Sequence, residues 1–343
     1  MKEKDLSKYN IRTDLIVDLI EESPSFEKKR EEDGVIISNI NLDKDNAETI
    51  GKAPGNYTTI YFDDVTDTSN YNKVLDVLTL ELSNMLSISK IKDDYSCMII
   101  GLGNEKSTAD SLGVNSALKV TVTKHIYDLT GSLEEGYRIC SCLTPGVMGT
   151  TGIETSDIIS SVINTVSPDF IIVIDALASD SIDRMLKTIQ ITNTGINPGS
   201  GIGNNRKELS FKVFKIPVIA IGVPTVVEAS TIVNDTFNYM KKHFSYNISN
   251  KNNLSDKLIP TSKINYLKNN PYTLSKEESS IFLGELGNLT NFERKQLIND
   301  VLNPIGYNLI VTPKEIDFIV LKLSELIATA INNSIHNIST KNI

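Results

Sequence analysis

Three apolar runs constrain this chain more than any other feature: CMIIGLGN (97–104), FIIVIDALAS (170–179) and IPVIAIGVPT (216–225). Each is short and rich in β-branched and aliphatic residues. None shows the polar alternation of a strand with one wet face, so each reads as a strand buried on both sides. Between them lie helical patterns. Val74, Leu75, Leu78, Leu82, Met85 and Leu86 share one face of residues 70–89, and residues 108–126 read as a further helix. Buried strands alternating with helices predict an α/β fold, a mainly parallel sheet with helices on both faces. Strands are also expected at Val35–Ile37 and over 53–62. Helical spacing returns at 275–287, 291–302 and 313–331, giving a helical C-terminal part. Residues 245–272, rich in Asn, Ser and Lys, read as a surface insertion.

Composition removes several function classes. Of 343 residues 40% are hydrophobic, enough for a sizeable core, and 34 basic against 43 acidic side chains give a net charge of −9. That balance argues against a nucleic-acid surface built on phosphate neutralisation. Neither a membrane-length apolar run nor the apolar stretch of a signal peptide is seen, so no membrane contact and a cytoplasmic location are expected. Cys97, Cys140 and Cys142 lack the spacing of a zinc site or a disulfide framework. His125, His243 and His336 stand beside no Ser or Cys motif, and no HExxH occurs. No metal or cofactor is expected.

In open α/β sheets ligands bind beyond the carboxyl ends of the strands, and there stand Asn104, Asp110, Asp175 and Pro224. GLGNEKSTADSLG (101–113) fails as a dinucleotide fingerprint, because Lys106 occupies the place of the third glycine. Asp110 then either caps the helix that follows or serves as an acid. Asp175 ends a wholly apolar run. It too is either a cap or a functional carboxylate, one whose desolvation demands a partner. If the two approach, they share a proton, one pKa rises, and the pair activates water against a peptide carbonyl without a metal. In TIQITNTGINPGSGIGNNRKE (188–208), Gly199, Gly201 and Gly203 make either a loop that binds an anion or an extended peptide, or an ordinary tight turn. Ser200 is no nucleophile elbow, since Pro198 replaces the first glycine, and Arg206 and Lys207 add positive charge.

PGVMGTTGIETSDII (145–159), DALAS (175–179), the 188–208 segment, IPVIAIGVPTVVEA (216–229) and LIVTPKEID (309–317) resemble the spore germination protease family. These are peptidases of spore-forming Firmicutes that degrade small acid-soluble spore proteins. The resemblance runs over nearly the whole chain from YNIRTDL (9–15). It implies an atypical aspartic-type endopeptidase, active without metal, homotetrameric, and made as a self-cleaving zymogen. It further implies a fold similar to that of hydrogenase maturation proteases, and action in the forespore and spore core. The family's catalytic pair falls on Asp110 and Asp175. Substrate binding is expected of Asn197, Gly199, Ser200, Gly201, Arg206 and Lys207. The family's substrates carry a Thr/Ser-Glu step, an apolar residue, and a second acid three residues on. Thr13-Asp14-Leu15-Ile16-Val17-Asp18 repeats this with Asp for Glu, although it reads equally as a polar N-terminus entering a helix. Self-cleavage is therefore expected between Asp14 and Leu15. Residues 1–14 would be a propeptide and 15–343 a single α/β peptidase domain with a variable insertion at 245–272. Asp180 replaces a family arginine, and Asn193, Asn197 and Asn205 replace an aspartate, a histidine and a lysine. These departures keep open a divergent binder that does not cut. A metal-dependent maturation-type endopeptidase on the same fold is a further alternative.

Overall fold

The three apolar runs become neighbouring strands of one sheet in the computed structural model, which describes residues 13–20, 25–199, 207–249, 273–302 and 309–336. The strands are β1 (Glu27–Glu32), β2 (Val35–Leu42), β3 (Gly55–Tyr61), β4 (Cys97–Gly101), β5 (Cys140–Leu143), β6 (Phe170–Ser179), β7 (Thr188–Thr192), β8 (Val218–Glu228) and β9 (Ile310–Val311). Their order is β1-β2-β3-β7-β8-β6-β4-β5, with β9 paired to β8. The fold is α/β, but the sheet is mixed rather than mainly parallel. Strand β4 runs parallel to β5 and β6, whereas the β1/β2, β2/β3, β3/β7 and β7/β8 pairs are antiparallel. One of these antiparallel pairs, β1/β2, is a hairpin hidden by charge. Asp33 and Gly34 both take positive φ, 50° and 87°, the two-residue turn that matches strand twist. The preceding EKKREE is thereby folded back as an exposed edge strand, whose charges discourage pairing with other chains.

The helix expected over 108–126 is broken. A 3-10 turn at Thr108–Asp110 leads into a short helix, Leu112–Ala117, and a separate helix covers Lys124–Thr130. Val120, Thr121, Val122 and Thr123 are all β-branched, and this stretch resists helix. Thr123 instead ties the chain to the sheet: its hydroxyl donates to Arg138 O at 2.6 Å and accepts the Cys140 N–H at 2.8 Å.

The chain forms two compact units, 1–226 with 312–343, and 227–311. In the first, alternation along β4 and β6 sends Cys97, Ile99, Phe170, Ile172 and Ile174 to one side. There they pack with the helices Thr68–Ile88 and Ile316–Ile335. Met98, Ile100, Ile171 and Val173 face the other way, against Ile159 and Ile163 of the helix Thr155–Val166. The helix Ile316–Ile335 is apolar and long enough to cross a membrane by length and composition alone, and ten of its residues are buried in the core of this unit. A third cluster packs Leu15, Ile16 and Val17 against Ile40, Leu42, Ala47, Tyr57 and Leu177. In the second unit, Val227 and Glu228 pair with β9, and the helices are Ala229–Ser249, Lys276–Leu283 and Asn291–Leu302. Of the insertion expected at 245–272, residues 245–249 close the first of these helices and the rest lies outside the described residues.

Candidate active site

The glycines of GLGNEKSTADSLG serve close backbone packing. A Cβ on Gly113 would fall inside the contact distance of the Ile174 and Leu102 carbonyl oxygens, and 2.8 Å from Leu102 N. Gly103 has φ +107°, and a Cβ there would strike the Asp110 carbonyl. These contacts lay the 102–113 loop directly over the end of β6. The Leu102 N–H donates to Ile174 O at 2.9 Å, the Asn104 N–H to Asp110 O at 3.0 Å, and Thr225 Oγ1 to Ala109 O at 2.7 Å. Asp110 therefore lies on the loop that packs against the residue preceding Asp175. Both acids come to the same end of the parallel pair β4/β6. Ser111, rather than Asp110, holds the N-cap position of the helix that follows. Asp175 stands inside β6, is 6% exposed, and its Oδ1 accepts the Ala176 N–H at 3.0 Å. The strand runs on to Ser179 and is followed by a 3-10 turn at Ile182–Arg184, so Asp175 caps no helix.

A cleft of about 570 Å³ opens beside this extension of β6. Leu177, Gly222, Gln190, Thr192 and Tyr57 help to form its wall, and Asp14, Asp18, Lys52 and Asn197 line it as well. Neither Asp110 nor Asp175 is among its lining residues, which on β6 begin two residues past Asp175. The segment Thr13–Asp18 forms part of the cleft wall, where Asp14 is tied to Ala178 through both its backbone and its carboxylate. The Asp14 N–H donates to Ala178 O at 3.1 Å, and the Ala178 N–H donates to Asp14 Oδ2 at 3.0 Å. After Leu15 the chain turns into a 3-10 turn at Ile16–Asp18, in place of the longer helix that one reading predicts.

The two carbonyl-side and amide-side groups around Asp14–Leu15 are each held. Lys52 Nζ donates to Asp14 O at 3.1 Å, with Gln190 Nε2 at 3.5 Å from the same oxygen. Leu15 N–H donates to Thr13 Oγ1 at 3.2 Å, and Ile16 N–H to Gln190 Oε1 at 2.8 Å. Local structure explains how Lys52 arrives there. Asp43 caps the helix Lys44–Ile50, Gly51 ends it in the left-handed region at φ 76°, and Lys52 N–H returns to Ala47 O at 3.1 Å. Burial lowers the Lys52 pKa, while Asp14 and then Asp18 pull it back up. Burial likewise raises the pKa of Tyr57.

Asp18 anchors the other end of the segment. Its side chain is fully buried. It forms an ion pair with Arg184, accepts a short hydrogen bond from Thr13, and accepts the Asp180 N–H at 2.7 Å. Ser179 Oγ lies 3.3 Å away. Asp180 thus contributes its backbone N–H here, and the guanidinium at Asp18 comes from Arg184 four residues later. Tyr61 has its pKa pushed up to about 12, chiefly by burial, with Arg184 opposing.

The glycine-loop expectations divide. Asn197 lines the cleft and Gly199 takes φ +73°; Ser200, Gly201, Asn205 and Arg206 lie outside the described residues. Lys207 is exposed and pairs with Asp157 at 2.7 Å, which raises its pKa. Asn193 braces the sheet, its Oδ1 accepting the Asn56 N–H at 2.9 Å. Sequence reasoning missed Lys52 and Gln190, took Asp18 only as the second acid of the leader pattern, and gave no role in the site to Arg184. The one usable signal was Gln190, a lone amide among the apolar and β-branched residues of TIQIT. Lys52 follows a glycine stop signal that only the folded helix makes meaningful.

Residues 18–343 match the family model described as germination protease. Among similar curated proteins are the germination proteases of Bacillus thuringiensis subsp. konkukian (strain 97-27), at 43% identity, and Bacillus cereus (strain B4264), at 44%. A third, from Bacillus anthracis (strain A0248), is 42% identical. Each alignment spans 98% of this chain and 97% of the relative.

Proposed function

This chain belongs to the germination protease family and is a peptidase of spore germination. From that premise we propose that it is an aspartic-type endopeptidase that initiates degradation of small acid-soluble spore proteins, made as a zymogen that cuts itself between Asp14 and Leu15. The observation that carries this reading is the leader itself. A segment with acids at 14 and 18 lines the cleft beside β6, and Asp14 is hydrogen-bonded to Ala178, on the strand that carries Asp175. One main-chain bond and one from the Asp14 carboxylate hold it there, and docking of a peptide along a strand is a common recognition mode. Among the described residues Leu15 is the first buried apolar side chain, at 0% exposure, so a cut before it leaves the described apolar core on one side of the cut.

In the proposed reaction, one member of the Asp110/Asp175 pair is ionised and takes a proton from water. The hydroxide attacks the peptide carbonyl, and the protonated member gives its proton to the departing amine nitrogen. The site works in the spore core as part of a homotetramer, and its substrates meet it as extended acidic peptides.

Incubating the purified full chain with a small acid-soluble spore protein, followed by N-terminal sequencing of both, tests this reading. Asp110→Asn and Asp175→Asn should each lower cleavage by orders of magnitude, roughly as much as the double variant, because the pair acts as a unit. A single variant with near wild-type turnover would refute the dyad. A processed chain beginning anywhere other than Leu15 would refute the cleavage position.

A further inference from the structure

Two donors converge on one carbonyl oxygen. Lys52 Nζ lies 3.1 Å and Gln190 Nε2 3.5 Å from Asp14 O, the carbonyl of the bond taken above to be cut. We propose that Lys52 and Gln190 are the oxyanion-stabilising pair of this peptidase, binding the carbonyl oxygen of whichever peptide bond is presented for cleavage.

Three features distinguish this arrangement from a passive contact. First, the amide of Gln190 is fixed from its other end: Oε1 accepts the Ile16 N–H at 2.8 Å, which turns Nε2 toward Asp14 O. One side chain therefore spans both sides of Leu15. Second, Gln190 is 7% exposed in the middle of β7, between Thr59 of β3 and Gly222 of β8, where a free amide is costly and its position is set by the sheet. Third, Lys52 brings a full positive charge to the buried wall of the cleft, delivered by a capped helix end whose backbone is tied at Ala47. A cation in a water-poor site stabilises developing negative charge more strongly than it does in bulk water.

The step balances. Water, losing its proton to the ionised carboxylate of the dyad, bonds to the Asp14 carbonyl carbon. The carbonyl π pair moves onto oxygen, where the Lys52 ammonium and the Gln190 carboxamide donate to the alkoxide. As the carbonyl re-forms, the C–N bond to Leu15 breaks and the nitrogen takes the proton of the acidic member. Lys52 and Gln190 gain and lose no proton in the cycle. Their bonds tighten only as charge builds on the oxygen, which is the condition for raising kcat rather than affinity.

The inference rests on the proposed self-cleavage reading, so the test separates the two. Wild type, Lys52→Met, Lys52→Arg and Gln190→Ala are prepared as full chains. Their leaders are removed in trans by affinity-tagged wild type, which is then withdrawn. Each is assayed on a small acid-soluble spore protein, with the thermal transition checked by circular dichroism. Lys52→Met should lower kcat by on the order of 10²- to 10³-fold with KM within about twofold, as for loss of one oxyanion donor. Gln190→Ala should lower kcat by about tenfold or more, given its longer contact, and Lys52→Arg should recover part of the Lys52→Met loss. The inference is overturned if Lys52→Met slows leader removal yet keeps wild-type kcat on the added protein, because Lys52 would then only anchor the leader. It is also overturned if the whole effect falls on KM. Should Lys52→Met lack a folding transition, wild-type kcat in both Gln190→Ala and Lys52→Arg overturns it. If wild type is cut somewhere other than before Leu15, the cleavage reading fails, and kcat on the added protein still decides the role of Lys52.

Discussion

Replacing Gly113 by alanine should disrupt the junction between β4 and β6. The added Cβ would sit 2.8 Å from Leu102 N and closer still to the carbonyl oxygens of Leu102 and Ile174. All three are main-chain atoms of the β4/β6 junction, so no side chain is available to swing aside. Forced overpacking of this kind costs about 1–3 kcal/mol. Parting the two segments also weakens the 2.9 Å Leu102 N–H to Ile174 O bond, worth roughly 1–3 kcal/mol when its buried groups are left unpaired. Against this, alanine gains up to about 1 kcal/mol over glycine in helix propensity. The net expectation is a loss of about 2–4 kcal/mol. The control is Gly149, also helical, where an added Cβ meets nothing within 4 Å. Gly149→Ala should be neutral or up to about 1 kcal/mol stabilising. Urea denaturation of both variants, followed by circular dichroism, measures the difference. Equal midpoints for Gly113→Ala and Gly149→Ala would show that the loop does not grip the sheet through this glycine. Because the same loop positions Asp110, Gly113→Ala should also lose proteolysis at temperatures where it remains folded.

Asp18→Ala strands Arg184, which is 29% exposed, and the Asp180 N–H; allowing for solvent at the arginine, a loss of about 2–4 kcal/mol is expected in denaturant melts. Lys207→Ala removes a solvent-exposed pair and should leave the denaturation midpoint unchanged in the same assay. His336 is buried, receives the Arg138 N–H on Nδ1 at 3.1 Å, and has its pKa lowered by burial, with Arg138 adding to the effect and the Thr121 carbonyl opposing. The folded protein therefore binds fewer protons than the unfolded chain just below pH 6.5. Its stability should be flat above that pH and fall as pH drops toward the lowered value. His336→Gln should be less stable at pH 7.5 but show a shallower acid decline, read from denaturation midpoints between pH 5 and 8.

The local pattern of residues determined the buried strands and their polar ends. CMIIG is apolar throughout and FIIVIDALAS is apolar on both faces but for Asp175 and Ser179, which a covered sheet satisfies, and Asp175 within such a run is a conspicuous charge. Helix Thr68–Ile88 was equally legible from its apolar face, and its start is fixed by Asp67, whose side chain accepts the Asn70 N–H. What the pattern left undecided depends on contacts distant in sequence. The Asp33–Gly34 hairpin turns a charged stretch into a strand because β2 offers it a hydrogen-bonding edge, and propensity alone does not assign EKKREE to a sheet. The glycines at 101, 103 and 113 resemble a phosphate loop until the carbonyls they accommodate are seen. Lys52, Gln190 and Arg184 are 38, 176 and 166 residues away from the leader groups they bind. Side-chain chemistry states what such groups are able to bind. The folded backbone alone decides which oxygen each one reaches.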